Sequence, residues 1–210
     1  GERCLHYKPL PINVAFLKAS YADKNGNLSM KREPTLLESL ALATAAHNAG
    51  GVVIAQVEQI VDNHSIPAKE VVVPGMLVAY IAVNEKKEYH MQTAGTYYNP
   101  ALSSEIRVAR DAKYYKRPLT EKRVMVRRAS QEIPKDAIVN LGNGISAYVG
   151  EVIAESNLLK YFHLTTDLGA VGGLPATGYD YAPNINADAV INTLDMFNLY
   201  HGNGLDVAVL

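Results

Sequence analysis

AIVNLGNGISAYVGEVIAESNLLKYFHLTT, residues 137–166, is the stretch whose reading decides the fold. AIVNLG (137–142) is a short apolar run with strand character, and a glycine turn occupies 142–144. Residues 147–157 then read as a helix, and a second strand lies near 161–166. Two parallel strands need a crossover of a dozen or more residues, usually a helix, so this order points to a parallel pair. The glycines fall at the end of the first strand, where the backbone must bend sharply into the helix.

Toward the N-terminus the same alternation recurs. Thr120 is placed to cap a helix running to about Ile133, where Pro134 ends it. MLVAYIAV (76–83) reads as a strand after the Pro74-Gly75 turn, and VVIAQV (52–57) as a strand buried on both faces. Between Glu33-Pro34 and Gly50-Gly51, Leu36, Leu37, Leu40, Ala43 and His47 recur at helical spacing. INVAFLKAS (12–20) is β-rich and runs into ADKNGN (22–27), where Asn25-Gly26 is strong turn chemistry. Toward the C-terminus follow a glycine-rich segment from Gly169 to Gly178, a helix at 187–197 and a strand at 205–210. The expectation is an α/β protein with open, mostly parallel sheets flanked by helices on both faces. Residues 84–118 lack a period and read as the join between two units.

Composition agrees with a packed protein. Of 210 residues, 48% are hydrophobic and 20% charged, enough to fill a core and unlike a disordered chain. The length lies between one ordinary domain and two. The formal net charge of -1 removes the bulk electrostatic argument for nucleic-acid or membrane-surface binding. A single cysteine, Cys4, rules out an internal disulfide framework, and no apolar run approaches the ~20 residues that span a bilayer. The chain starts at Gly1 without a signal sequence and stops on LDVAVL (205–210), so both ends look cut. A buried terminal strand is the alternative for the latter.

The chemistry-bearing residues fall into four groups. The histidines (6, 47, 64, 90, 163 and 201) show no paired helical spacing, which argues against a metal site. Nine cations between Arg107 and Arg128, including Arg110, Lys113 and Lys116, face only Asp111 and Glu121, with Tyr114 and Tyr115 interleaved. That window reads as a solvated connection and helix face, or as a local field for an anionic ligand bearing phosphates. Gly142, Asn143 and Gly144 sit at a strand-to-helix turn, where parallel sheets bind ligands and backbone amides can hold phosphate or an oxyanion. Tight strand-to-helix geometry alone explains them equally well. Asp167, just past a strand and beside Gly169, Gly172 and Gly173, is either a nucleophile or general base or a turn residue.

The ordered series KPLPINVAFLKA (8–19), ADKNGN (22–27), GGVVIAQVEQIV (50–61), VPGMLV (73–78), VRRA (126–129), VNLGNGI (139–145), LTTDLGAVGGLP (164–175) and YHGNGLDVAVL (200–210) resembles the class I CoA-transferases of the acetate/propionate type. The resemblance implies two similar open α/β domains with a site between them. Residues 1–118 would be the latter part of the first, with the connecting segment, and 119–210 the first part of the second, catalytic one. It implies transfer of CoA between a short-chain acyl-CoA and a free carboxylate through an acyl anhydride and an enzyme-CoA thioester. Asp167 falls at the position of the family's nucleophilic glutamate. Gly142, Asn143, Gly144, Gly169, Gly172, Gly173, Gly202 and Gly204 would contact CoA, which enters as substrate rather than as a tightly bound cofactor. A cytoplasmic homo-oligomer, or an enzyme completed by a second chain, is the implied setting, with no nucleic-acid or membrane partner.

Two departures stand out. Asp167 carries its carboxylate on a stem one methylene shorter than a glutamate, and Asn143, Ser146 and Asn203 alter the glycine turns. They favour, as the alternative, a non-catalytic or weakened homologue that binds acyl-CoA or serves as an interaction subunit. A nicotinamide-dependent oxidoreductase built on residues 140–150 has the wrong spacing, since Gly150 stands too far from Gly144.

Overall fold

The computed structural model describes residues 3–109 and 115–210, so Gly1 and, from the basic window, Arg110, Asp111, Lys113 and Tyr114 lie outside the described residues. The chain divides into two compact units. One comprises residues 1–29 and 39–84, and the other 30–38 and 85–210.

The first unit is a five-stranded sheet with the order β4-β2-β1-β3-β5. Strand β1 (Val14–Asp23) lies parallel to β3 (Val52–Val61), in register from Val14↔Val52 to Asp23↔Val61. On the far side of β3, β5 (Tyr80–Val83) is also parallel. On the other side of β1, β2 (Leu28–Ser29) and β4 (Val71–Val73) run antiparallel. The sheet is therefore parallel in one half and antiparallel in the other. Helix α1 (Ser39–Asn48) makes the crossover from the β1–β2 hairpin to β3 and buries Ala43 and Ala46. Along β3, Val53, Ala55 and Val57 are buried while the alternate residues stay half-buried, so only one face is closed.

The Asn25-Gly26 turn is built as its chemistry suggests. Gly26 takes φ +85°, and the carboxylate of Asp23 accepts from the amides of Asn25 (2.9 Å) and Asn27 (3.0 Å) and from the Asn27 side chain (2.9 Å). Burial pushes the Asp23 carboxyl up, and these donors more than offset it, leaving it below the usual carboxylate value.

Two elements of this unit differ from expectation. Helix α1 starts at Ser39 rather than after Pro34, because Leu37 adopts φ +50° and interrupts helical geometry. The strand expected over 76–83 begins only at Tyr80. Residues Gly75–Leu77 instead form a single 3₁₀ turn, closed by bonds from Leu77 N to Pro74 O and from Val78 N to Gly75 O.

In the second unit a five-stranded sheet has the order β11-β8-β7-β6-β12. β6 (Ile138–Leu141) lies between two parallel neighbours, β7 (His163–Thr165) and β12 (Val207–Val209). β8 (Ala170–Val171) and β11 (Ala189–Val190) continue it antiparallel, while β9 (Leu174–Pro175) pairs separately with β10 (Asn184–Ile185). Helices α2 (Glu121–Ser130) and α3 (Tyr148–Glu155) pack with this sheet around Val126, Val139, Leu141, Val149, Ile153 and Leu164. Thr120 caps α2, accepting from Arg123 N at 3.2 Å, but the helix ends at Ser130, short of Ile133.

The helix expected at 187–197 is displaced. Asp188 N bonds Val171 O (2.8 Å) and Ile191 N bonds Gly169 O (2.9 Å), so these residues extend the sheet. Helix α4 (Thr193–Leu199) starts only after Asn192, whose side chain caps it by accepting from Asp195 N at 2.8 Å. Among the described residues no helix is long and apolar enough to cross a membrane.

Candidate active site

The site forms where β6 and β7 end. The last paired residues of these strands are Asn140 and Thr165, so Gly142 and Asp167 each stand two residues beyond the pair. Parallel strands bring their carboxyl ends to one edge, which is why a glycine turn and an acid 25 positions apart in sequence become neighbours.

Asp167 is half-buried. The hydroxyl of Tyr181 lies 3.2 Å from its Oδ1 and 2.9 Å from the carbonyl of Leu141, so its one proton is shared between the acid and the strand beside it. A second phenol approaches from the end of α4. The Tyr200 hydroxyl is 2.7 Å from Thr165 Oγ1, which itself donates to Val139 O at 2.9 Å. A threonine hydroxyl has one proton, so Tyr200 donates to Thr165. Burial and then the charge and hydrogen bond of Asp167 push the Tyr181 phenol far above its ordinary value. Burial and the Asp167 charge also raise Tyr200, against a lowering by Thr165. Both therefore remain protonated donors at neutral pH.

The glycine turn is partly open. The Gly142 amide is committed to Val209 O at 2.9 Å, which fixes β12 at the site's edge. Among the described residues the amides of Asn143, Gly144 and Ile145 have no hydrogen-bond partner, and Asn143 and Gly144 are exposed. Gly144 takes φ +95° with open space where a Cβ would stand. The altered Ser146 turns its hydroxyl inward to Gly142 O (2.9 Å), bracing the turn.

The later glycines sit differently. A Cβ on Gly169, Gly172 or Gly173 would come within 2.4 Å of Ile191 O, Asp188 Oδ2 or Ile185 O, respectively. These three let the chain after Asp167 pack against residues 185–191. Gly204 is closed by Leu199, whereas Gly202 faces open space and Asn203 holds φ +69°.

Much of the basic window is matched by acids. Arg123 and Arg127 both bind Glu155, Arg117 and Arg123 approach Glu151, and Arg128 pairs with Glu132. Burial raises the Glu155 carboxyl, but the arginines outweigh it and hold the group below its ordinary value. Among the described residues no group of His, Cys, Asp and Glu could hold a metal ion.

Sequence reasoning named Asp167 and the turn as candidates, and did not name Tyr181 and Tyr200, which the structure places beside them. Their signal was faint: hydroxyls in YDYAPN (179–184) and YHGNG (200–204), in segments whose tertiary position no local period reveals.

The family model for Coenzyme A transferase matches residues 1–84. A caffeate CoA-transferase of Acetobacterium woodii is 41% identical over all 210 residues, which cover 40% of it. The acetate CoA-transferase YdiF of Escherichia coli O157:H7 is 32% identical over the same residues, with 39% of it covered. The crystal structure of that organism's acyl-CoA transferase YdiF as a thioester complex with CoA superposes with a TM-score of 0.79 at 31% identity. That match covers 93% of this chain and 35% of the other. The chain thus spans about 40% of the length of the curated relatives it matches.

Proposed function

Because the chain belongs to the coenzyme A transferase family over the length it spans, we propose that it transfers CoA between an acyl-CoA and a free carboxylate with Asp167 as covalent nucleophile. The observation that carries this reading is the half-buried Asp167 carboxylate at the end of β7, tied by Tyr181 to the strand that leads into the open glycine turn.

The chemistry balances without ATP. An Asp167 oxygen attacks the acyl-CoA carbonyl carbon, the carbon–sulfur bond breaks, and CoA leaves as thiolate from an acyl anhydride. The thiolate then attacks the Asp167 carbonyl of that anhydride and expels the acyl group as a carboxylate, leaving an aspartyl-CoA thioester. The acceptor carboxylate reverses both steps. Each attack passes through a tetrahedral oxyanion, and the amides of Asn143 and Gly144 are the donors suited to it. Losing one such donor costs roughly 10²–10³ in rate. Tyr181 acts by positioning: a rigidly held carboxylate spends less entropy reaching the carbonyl. Domain assignment follows the same reading, with 1–118 in a first CoA-transferase domain and 119–210 opening the catalytic one. A short-chain acyl group, a cytoplasmic setting and either a homo-oligomer or a complementing chain belong to it too.

The test is a covalent trap. Incubated with acetyl-CoA or an aromatic acyl-CoA, reduced with borohydride and mapped by mass spectrometry, the protein is expected to carry its modification at Asp167. Asp167→Asn should carry none. The stem, shorter by about 1 Å, places a specific alternative in the same assay, since a misplacement of that size can cost on the order of 10² in rate. If the wild type binds CoA without an adduct and Asp167→Glu forms one, the chain is a binding homologue and the catalytic reading falls.

A further inference from the structure

The chain holds three Asn-Gly pairs, at 25–26, 143–144 and 203–204, and the fold treats them differently. An asparagine before glycine is chemically labile, because the glycine nitrogen can close onto the side-chain carbonyl with no Cβ to obstruct it. Closure needs that nitrogen free and the peptide able to swing. At 25–26 neither holds. Gly26 is buried and its amide donates to Asp23 O at 2.9 Å, while Asn25 Oδ1 accepts from Asn63 Nδ2 at 3.3 Å. At 203–204, Asn203 is held at φ +69° and ψ +24° within the turn Tyr200–Gly204, and Gly204 is packed onto Leu199.

The pair at 143–144 has none of these restraints. Both residues are exposed, and among the described residues neither the Gly144 amide nor the Asn143 side chain has a hydrogen-bond partner. Gly144 takes φ +95°, and an added Cβ would meet nothing within 4 Å. The turn is braced instead at its two ends, by the Gly142 amide on Val209 O and by the Ser146 hydroxyl on Gly142 O, so its middle is left to move.

We infer that Asn143 is a site of spontaneous deamidation, which turns the open glycine turn anionic and closes it to catalysis. The Gly144 nitrogen gives up its proton to water and bonds to Asn143 Cγ. The Cγ–Nδ2 bond breaks, and the amide leaves as ammonia, taking a proton back from water. Water then opens the cyclic imide at either carbonyl, giving an aspartyl or an isoaspartyl residue, so the sum is one water taken up and one ammonia released. The consequence for activity rests on the proposed function, whereas the modification itself does not. In the imide the Gly144 nitrogen has no proton to offer an oxyanion, and in both products a carboxylate stands in the turn where that negative charge develops. The isoaspartyl form also adds a methylene to the main chain and displaces Gly144. Losing one donor costs roughly 10²–10³ in rate, and repulsion between like charges adds to it.

The folded 210-residue protein is incubated at mildly alkaline pH in heavy-oxygen water, with peptide mass spectrometry reading conversion and the borohydride trap reading adduct formation. Asn143 is expected to convert first, about tenfold faster than Asn25, whose glycine amide must break its hydrogen bond before it can attack. In denaturant the two sites should converge, because the difference lies in the fold. Adduct formation should fall in step with the unconverted fraction of Asn143. Asn143→Asp should start about 10²-fold slow, and Asn143→Gln, whatever its initial rate, should hold that rate through the incubation. The residue is exposed, so both variants should keep the wild-type urea midpoint. Conversion of Asn25 or Asn203 as fast as Asn143 in the folded protein overturns the inference. So does an adduct rate that holds while Asn143 converts, or a decay in Asn143→Gln at the wild-type pace. Conversion at Asn143 with no adduct even in fresh wild type sinks the transferase reading and spares the modification site. An adduct in fresh protein with Asn143 intact throughout does the reverse.

Discussion

Gly169→Ala separates a glycine that serves packing from one that contacts a ligand. Gly169 takes φ +103°, and an added Cβ would stand 2.0 Å from Ile191 O, the atom after which α4 is set up. A carbon–oxygen contact settles above about 3.2 Å, so one side must give by roughly 1.2 Å. The left-handed backbone alone costs a β-carbon about 1–2 kcal/mol. Displacing residue 191 also strains the bond from Ile191 N to Gly169 O, worth about 1 kcal/mol. The sum is about 2–3 kcal/mol. With a urea dependence of about 2 kcal/mol per molar, the unfolding midpoint should fall by about 1–1.5 M. Asp167 is two residues away, and the Gly169 amide bonds Thr166 O at 3.0 Å, so the carboxylate moves with the strain. Adduct formation should slow about 10²-fold. Urea unfolding and the borohydride trap read both quantities on one preparation. A variant with the wild-type midpoint and weakened CoA binding would refute this packing argument and make Gly169 a ligand contact.

Tyr181→Phe should slow adduct formation about tenfold, the loss of one hydrogen bond to a charged group, while leaving CoA affinity unchanged. Equal loss of affinity would show that the phenol touches CoA rather than positioning Asp167. Gly75→Ala should destabilise the first unit by about 2 kcal/mol or more, read as a lowered unfolding midpoint, because its Cβ would stand 2.0 Å from Asn25 O in the opposing turn. Asp23 titrates below its unfolded value of 3.8, so its contribution is complete above that value and disappears as pH falls through the lower folded value. The stability gap between wild type and Asp23→Asn should therefore be constant from pH 7 to about 5 and close below about pH 4. A gap that does not narrow at all as the pH falls below 3.8 would show that the turn does not depend on the charge.

The sequence was legible where one local rule dominated. Asn25-Gly26, the Thr120 cap and the 137–166 strand–turn–helix–strand unit all fell where expected, because each is fixed by residues within a few positions of one another. It misled where a distant backbone intervened. MLVAYIAV has continuous strand character, yet its first residues turn because Gly75 must fit against Asn25 and Asn27, some 50 positions away. Residues 187–191 carry helix-compatible alanines, yet their amides are claimed by Gly169 and Val171. The Asn192 cap, whose side chain accepts from Asp195 N, marks the helix start. The site divides along the same line. Asp167 and the 142–144 turn are legible because a strand end followed by glycine is a local pattern. Tyr181 and Tyr200 are not, since each reaches the strand ends from its own loop or helix terminus. The resemblance named the acid, but the phenols that stand beside it had to be read from packing.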